Sequence, residues 1–321
     1  MDGGTSGSSR PKIGLALSGG GMRGVAHIGV LHVLEKYNLI PDLLAGTSVG
    51  SIVAVLYGVG MRAAGIEQFA RRLAQVDFLD WDSAPQLMSA LGKVVTELAW
   101  GKKGPFNSAA AGVIKGDRLE QLFQRRLAGE SFDTCRIPTA VVATDINNGQ
   151  RVVFTSREMR QKLCDEPEMA GDDVLSDIGL ADAIRASISI PGAFHPKKIA
   201  GRMMVDGGLT SFIPVDLLFH MGADLVVAVD LGYAGERREE IDNVLEIVVQ
   251  SMDIMGRGKV DLYFELLKYA KPKPVIRVKP RIYDVGYFDV SSLDENINRG
   301  AEAMENCIPE VRRAMEQRRP A

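Results

Sequence analysis

A serine between two glycines, at the junction of an apolar run and a helix-like run, could act as a nucleophile. The segment Gly46-Thr47-Ser48-Val49-Gly50 follows Leu43 to Ala45 and precedes Ile52 to Tyr57. A strand that turns this sharply into a helix holds the serine at the apex, and only glycines at the flanking positions let the two backbones pass closely. The helix start then favours negative charge that develops beside the serine oxygen. The pattern predicts a nucleophile elbow centred on Ser48.

A second glycine cluster follows the first predicted strand. Ile13 to Leu17 is apolar and uncharged, and it leads into Ser18-Gly19-Gly20-Gly21-Met22-Arg23-Gly24 before a run of helical spacing from Val25 to Leu34. A strand, a glycine loop and a helix in this order expose backbone amides at a helix N-terminus, which is a ready site for an anion. The anion could be a phosphate or the oxyanion of a tetrahedral acyl intermediate.

Gly19, Gly21 and Gly24 also satisfy the dinucleotide-binding pattern. That interpretation expects an acidic residue about 20 positions further on, at the end of the second strand, where it would bind a ribose hydroxyl. The second predicted strand ends at Ser48 instead, and the nearest acid, Asp42, stands at its beginning. The sequence therefore favours an oxyanion hole over nucleotide binding.

A serine at neutral pH needs a base to accept its proton. Three of the four histidines, His27, His32 and His220, lie in helix-like runs, where a packed histidine is the simpler interpretation, and His195 follows a proline turn. Asp206 follows an apolar run and precedes Gly207-Gly208, so a strand would deliver it to a tight turn at the sheet edge. An ordinary Asp-Gly turn is the alternative at this position.

Taken in order, these three motifs resemble the signature of the patatin-like phospholipase family. They are Gly19-Gly20-Gly21-Met22-Arg23-Gly24, Gly46-Thr47-Ser48-Val49-Gly50 and Asp206-Gly207-Gly208. The segments Ala186 to Phe194 and Ala143-Thr144-Asp145, with the following Val152 to Phe154, are similar to the bacterial branch and to the neuropathy-target-esterase-like branch. The resemblance covers residues 13–220 well and the C-terminal third more loosely.

The resemblance implies a serine lipid acyl hydrolase that cleaves phospholipid or lysophospholipid esters through an acyl-serine intermediate. Ser48 would be the nucleophile, Asp206 the general base that later protonates the leaving alcohol, and the amides of Gly19 to Gly21 with the neighbouring turn the oxyanion hole. A single carboxylate can do this work if it is close to the serine and partly desolvated, because burial raises its pKa. Arg23 would either brace the glycine turn or contact an anionic headgroup.

Two other functions stay open. Ser48, Asp145 and His195 have the chain order of an α/β-hydrolase triad, although the nucleophile would then come very early in the chain. A catalytically silent lipid-binding or nucleotide-binding module is the alternative from a different class. No metal or other cofactor is expected, because no His/Cys/Asp cluster has ligand spacing along the sequence.

The elements that must position these groups alternate between strands and helices. With 321 residues and 46% hydrophobic content, the chain predicts an α/β protein, a three-layer α/β/α sandwich with a mostly parallel central sheet. Further strands are predicted at 139–143, 151–155, 224–230 and 275–279, and helices at 65–75, 117–128, 244–269 and 296–317. Residues 13–220 would form the catalytic domain, residues 221–321 an extension that completes the same fold, and residues 1–12 a disordered tail.

Charge and cysteine content indicate the surroundings of the protein. A formal net charge of −3 gives no general attraction to nucleic acid, and three widely spaced cysteines suggest reduced thiols. Basic clusters at 268–281 and 312–319 could meet an anionic membrane or be solvated faces. With neither a signal-peptide core nor an apolar run of about 20 residues, we expect a cytoplasmic protein that acts on lipid at a membrane or micelle surface.

Between the elbow and the next predicted helix lies a segment rich in large apolar residues and broken by glycine and proline. These residues are Phe78, Leu79, Trp81, Leu87, Met88, Leu91, Leu98, Trp100 and Phe106, with Gly101, Gly104 and Pro105. Tryptophan suits a membrane interface or the wall of an acyl pocket. We interpret the segment as a mobile cap over the acyl site or as one buried helix face.

Overall fold

A computed structural model describes residues 10–75, 80, 112–233, 235, 241, 244–270, 273–282 and 292–317. The apolar residues of the segment from Phe78 to Phe106, interpreted above as a cap or a buried helix, lie outside the described residues. Most of the tail predicted at residues 1–12 also lies outside them.

The strands alternate with helices along the chain. In chain order the strands are β1 (Ile13–Leu17), β2 (Leu43–Thr47), β3 (Gly112–Ile114), β4 (Thr139–Asp145), β5 (Gln150–Phe154), β6 (Asp173–Leu175), β7 (Gly192–Phe194), β8 (Lys197–Ile199), β9 (Arg202–Asp206), β10 (Leu225–Val229) and β11 (Val275–Val278). The helices are α1 (Ala26–Lys36), α2 (Val49–Gly58), α3 (Ala63–Ala74), α4 (Asp117–Arg126), α5 (Arg157–Cys164), α6 (Leu180–Ser187), α7 (Val215–His220), α8 (Val244–Ala270) and α9 (Leu293–Gln317).

Nine of the described strands form one sheet. Seven follow the order β11-β10-β1-β2-β4-β5-β6, while β9 pairs with β4 and β8 pairs with β9. From β11 to β4 every neighbouring pair is parallel, and only the pairs β4–β5, β4–β9 and β8–β9 are antiparallel. The predicted mostly parallel sheet is confirmed. β10 and β11 come from the C-terminal third of the chain. β10 pairs with β1 and β11 pairs with β10, so both belong to the same sheet.

Side chains of the inner strands alternate between two separate apolar cores. Leu15 and Val227 face the core formed with α1, α2, α3 and α9. Ala16 and Val226 face the core formed with α5, α7 and α8. Helices therefore cover both faces of the sheet, which confirms the predicted three-layer α/β/α sandwich.

The local sequence explains why these elements form. All five residues of β1 and of β10 are apolar or glycine and are buried, as expected for strands covered on both faces. In α4, Leu119 and Phe123 are buried four residues apart while charged residues occupy the other faces. No described helix combines the length and the apolar composition that are needed to cross a bilayer.

Candidate active site

Ser48 lies at the junction between β2 and α2. Its backbone has φ 53° and ψ −129°, a region that residues with side chains rarely adopt. A Cβ on Gly46 would lie 2.3 Å from the carbonyl oxygen of Gly50, and a Cβ on Gly50 would lie 2.2 Å from that of Leu17. Glycine is therefore required on both sides of the serine, and the sharp turn predicted from the sequence is present.

Two hydroxyl groups fix the backbone of Ser48. Its amide donates to Oγ of Ser187 at 2.8 Å, and Ser187 donates onward to the carbonyl of Val142 at 2.6 Å. Ser51 Oγ donates to the carbonyl of Ser48 at 2.6 Å. These partners come from α6, β4 and α2, so three elements hold the serine in a conformation that costs about 1–3 kcal/mol.

The pairing of β4 brings Asp206 next to Ser48. β2 runs parallel to β4 as far as Thr47, which is opposite Val142, and β9 runs antiparallel with Asp206 opposite Ala143. β5 occupies the other edge of β4 over residues 141–145, so β2 and β9 share one edge. β9 therefore reaches β4 where β2 leaves it, and the two candidate catalytic residues meet there.

The backbone of Asp206 is also held by hydrogen bonds. Its amide donates to the carbonyl of Ser189 at 2.9 Å, and its carbonyl accepts from Thr144 Oγ1 at 3.1 Å. The next residue, Gly207, lies against β4, where a Cβ would be 2.3 Å from the carbonyl oxygen of Val142. The Asp-Gly-Gly motif is thus a tight turn whose aspartate is fixed at the sheet edge.

Asp206 is buried, with only 4% of the residue exposed. Its Oδ1 accepts from the amide of Gly208 at 2.7 Å. Burial raises the pKa of Asp206 to about 6; hydrogen bonding from Ser48 and Gly208 opposes this rise, and the negative charge of Asp253 adds to it. Among the described residues, Oδ2 has no hydrogen-bond partner of ordinary geometry. The Ser48 hydroxyl therefore lies near the carboxylate without a well-aligned bond, as is common for catalytic pairs without substrate.

The glycine loop of residues 19–24 approaches Ser48 directly. A Cβ on Gly19 would lie 3.3 Å from Cβ of Ser48. Gly20 and Gly21 have φ angles of 155° and 57°, which turn the chain into a 3₁₀ helix over Gly21–Val25. The amide of Gly19 donates to the carbonyl of Phe212 at 3.3 Å. The amides that follow, of Gly20, Gly21 and Met22, are therefore the better candidates for binding an oxyanion.

Arg23 points into the protein. The residue is 2% exposed, its Nε donates to the carbonyl of Gly20 at 3.0 Å, and its Nη2 donates to Oδ2 of Asp253 in α8 at 2.9 Å. Of the two roles considered for Arg23, bracing the glycine turn agrees with this geometry, and contact with a lipid headgroup does not. Gly24 packs against α2, where a Cβ would lie 2.2 Å from Cγ2 of Val49.

Two cavities adjoin the candidate pair. The larger, of about 320 Å³, is lined by Ser48, Gly21 and Met22 together with residues of α1, α2 and α3. Its apolar wall includes Ile28, Ile52, Leu56, Ile66, Phe69 and Leu73. Among the described residues that line this cavity, Ser48 alone has a polar side chain, so the cavity suits a hydrocarbon chain. The smaller, of about 40 Å³, is lined by Asp206, Asp253 and Lys259.

The histidines and Asp145 are placed elsewhere. His27 is buried with Nε2 2.9 Å from the carbonyl oxygen of Ser18, and burial lowers its pKa to about 4. Asp145 accepts from the amide of Asn147 at 2.9 Å. Neither Asp145 nor His195 is among the described residues that line the two cavities. The structure therefore brings Ser48 together with Asp206, and it gives no support to the triad.

One group of side chains could hold a cation at a different place. Single ligand atoms of Glu166, Glu168 and His220 lie within 4.8 Å of one another. The expectation that the protein needs no metal stays a prediction. Spacing along the chain does not reveal this group, because His220 joins the two glutamates only through folding. The three residues line neither cavity at the candidate pair.

Comparison with known proteins finds similar sequences and structures. An uncharacterized NTE family protein of Mycobacterium bovis is 30% identical over 243 residues, which cover 74% of this chain and 54% of that protein. Lysophospholipase NTE1 of Debaryomyces hansenii is 26% identical over 318 residues, or 94% of this chain and 18% of that protein. The structure of human GIVD cytosolic phospholipase A2 aligns with a TM-score of 0.48 and 12% identity, covering 96% of this chain and 62% of that one.

The chain spans about half the length of the mycobacterial relative, 54%. Residues 15–219 match the sequence profile of the family described as patatin-like phospholipase. This match includes the glycine loop, the elbow and the Asp-Gly-Gly turn, in the order that the sequence motifs predicted. The chain belongs to the patatin-like phospholipase family.

Proposed function

We propose that this protein is a serine lipid acyl hydrolase that cleaves carboxyl esters of phospholipids or lysophospholipids with a Ser-Asp dyad. The observation that carries the proposal is the position of Ser48, between an apolar cavity of about 320 Å³ and the buried carboxyl group of Asp206. Membership of the patatin-like phospholipase family supports it.

In the first half of the reaction, Asp206 accepts the proton of the Ser48 hydroxyl as Oγ attacks the ester carbonyl carbon. The amides that follow Gly19 stabilise the oxyanion of the tetrahedral intermediate. The carbon–oxygen bond to the leaving alcohol then breaks, and Asp206 returns the proton to that alcohol. In the second half, Asp206 accepts a proton from the water that attacks the acyl-serine carbonyl carbon. The bond from that carbon to Ser48 Oγ then breaks, Asp206 returns the proton to Oγ, and the fatty acid leaves.

The acyl chain would lie in the apolar cavity, because its described wall offers no charged partner to a headgroup. The relative from Debaryomyces hansenii is named a lysophospholipase, which supports a lipid with one acyl chain as a substrate. The headgroup would remain toward the outside of the site.

The lipid would be drawn from a membrane or micelle surface through contact with α8. Six large apolar side chains of this helix are more than half exposed: Ile247, Ile254, Met255, Leu262, Leu266 and Tyr269. At 3.6 residues per turn they share about one third of the helix circumference, opposite the buried Val249 and Val260. We name these six residues the α8 apolar face. Met255 also lines the cavity at Asp206, so this face borders the site.

A fluorophosphonate probe and three variants test the proposed chemistry. The probe should label the full chain at Ser48 and leave Ser48→Ala unlabelled. Ser48→Ala and Asp206→Asn should each lower ester turnover by at least about a thousandfold, because nucleophile and base act as one unit. His195→Ala should retain most activity.

Two results would point to the other functions. If His195→Ala were inactive and Asp206→Asn nearly normal, the triad of Ser48, Asp145 and His195 would replace the dyad. If the chain bound lysophospholipid vesicles but neither reacted with the probe nor released fatty acid, it would be a binding module.

A further inference from the structure

Asp253 belongs to α8, beyond residues 15–219 that match the family profile. It nevertheless reaches the glycine loop, because its Oδ2 lies 2.9 Å from Nη2 of Arg23, 230 residues earlier in the chain. The side chains of Arg23 and Asp253 are 3% and 4% exposed. A buried guanidinium is stable only with a charged or strongly hydrogen-bonding partner, so Asp253 compensates the burial of Arg23.

Arg23 connects Asp253 to the glycine loop. Its Nε donates to the carbonyl of Gly20 at 3.0 Å. Gly20 has φ 155°, and no side chain of its own can fix this turn. Two of the amides considered above as oxyanion donors, those of Gly21 and Met22, follow that carbonyl directly. The orientation of these amides therefore depends on the Arg23 guanidinium, whose orientation depends on Asp253.

Asp253 also faces the candidate base. It lines the small cavity at Asp206 together with Lys259 of the same helix, whose Nζ donates to the carbonyl of Leu209 at 2.8 Å. Among the residues that the structure describes, the charged groups around this cavity are Asp206, Asp253 with its partner Arg23, and Lys259. The negative charge of Asp253 contributes to the raised pKa of Asp206.

We propose that Asp253 is a positioning residue of the active site: through Arg23 it fixes the carbonyl of Gly20 and the glycine loop against Ser48. The inference rests on the proposed acyl hydrolase function. It gives the C-terminal part of the chain a role in the site through Asp253, which acts on Arg23 and the glycine loop.

Asp253→Asn in the full chain tests this role, because asparagine keeps the shape and one acceptor oxygen but removes the charge. Rates are measured on a soluble short-chain ester and divided by the fraction of enzyme that a fluorophosphonate labels. We expect kcat per labelled enzyme to fall at least tenfold with little change in KM. The ascending limb of the pH profile should move to lower pH, because loss of the negative charge lowers the pKa of Asp206.

Asp261→Asn is the matched control, since Asp261 is a half-exposed carboxylate on the same helix that pairs with Arg277 at 3.0 Å. It should leave kcat and the pH profile unchanged. Arg23→Lys is the second variant: it keeps a cation for Asp253 but has no Nε to donate to Gly20, and we expect it to lower kcat as well. If Asp253→Asn does not fold, the activity of Arg23→Lys tests the proposed role of Asp253 instead.

A purely structural Asp253 would give a different result. The labelled fraction of Asp253→Asn would then turn over at the wild-type rate with the wild-type pH profile, and Arg23→Lys would be fully active; this outcome overturns the proposal. Ser48→Ala distinguishes failure of the proposed role of Asp253 from failure of the proposed hydrolase function. An inactive Ser48→Ala beside a normal Asp253→Asn refutes only the role of Asp253, whereas an active Ser48→Ala refutes the proposed function itself.

Discussion

The hydroxyl of Ser187 accepts a hydrogen bond from the amide of Ser48 at 2.8 Å. It donates its own proton to the carbonyl of Val142 at 2.6 Å, so α6 connects the elbow to β4. All three residues are buried. Ser48 is held at positive φ, and its buried amide thus has the hydroxyl of one side chain, that of Ser187, as its hydrogen-bond acceptor.

Ser187→Ala should therefore impair both stability and turnover. The unpaired buried amide costs about 1–3 kcal/mol of the free energy of unfolding, and a shifted serine should lower kcat by about ten- to a hundredfold. Urea unfolding and ester hydrolysis measure the two effects. Thr155→Val is the control, because Thr155 is buried and donates to the carbonyl of Thr139 at 2.9 Å. Equal loss of kcat in both variants would contradict a specific role for Ser187.

The pH dependence of hydrolysis should report Asp206. Burial raises its pKa to about 6, and only the ionised carboxylate can accept the Ser48 proton. We expect kcat/KM on a soluble ester to rise as the pH increases through about 6 and to level off above it. A rate that is constant between pH 5 and 7.5 would show that Asp206 is not the base.

The same pKa predicts an unusual effect on stability. The folded pKa of Asp206, about 6, lies above the unfolded value of about 3.9, so the folded state binds this proton more tightly. The resulting stability is present below pH 4 and is lost as the pH rises through 6. Two pKa units at about 1.4 kcal/mol each correspond to about 3 kcal/mol. Asp206→Asn should thus be more stable than the wild type at pH 8, by up to about that amount.

Urea unfolding at pH 8 and at pH 4.5 measures this difference. The advantage of Asp206→Asn should shrink toward zero at the lower pH. A variant that is less stable than the wild type at pH 8 would mean that the Asp206 carboxylate is well compensated in the fold.

Much of the fold could be predicted from the sequence because the signals are local. β1 and β10 are uninterrupted apolar runs between polar ends, and α4 and α9 have helical apolar spacing over many residues. β3, β6, β7 and β8 were not predicted, because three residues show no periodicity and are stabilised by the strands beside them.

The residues of the candidate site likewise include some with local sequence signals and some without. Ser48 and the glycine loop were predicted because glycines at fixed offsets are needed for a sharp turn, whatever packs around them. Ser187 and Asp253 were not singled out as site residues. Serine and aspartate are common in helices, and the roles of these two arise only when α6 and α8 pack beside β4 and the glycine loop.

Filling the apolar cavity should shorten the acyl chain that the enzyme accepts. Ala70 of α3 lines this cavity, whereas Ala64 of the same helix is exposed. Ala70→Leu should lower kcat/KM for long-chain esters at least about tenfold relative to a short-chain ester, because each displaced methylene loses favourable contacts. Ala64→Leu should not alter this ratio. If Ala70→Leu also leaves the chain-length preference unchanged, the acyl chain binds elsewhere.

The α8 apolar face should determine how the enzyme meets a lipid surface. Replacing Ile254 and Leu262 together by serine removes two side chains that are 54% and 60% exposed, so the fold should lose little stability. Ile146, an isoleucine that is 47% exposed in the turn after β4, offers a matched control as Ile146→Ser. We expect Ile254→Ser/Leu262→Ser to lower vesicle binding and hydrolysis of long-chain lipid in phosphatidylcholine vesicles at least about tenfold, with unchanged hydrolysis of a soluble ester.

Sedimentation of both variants distinguishes a lipid contact from a protein contact. If the double variant binds vesicles normally but converts an oligomer into a monomer, the α8 apolar face is an interface between copies of this chain.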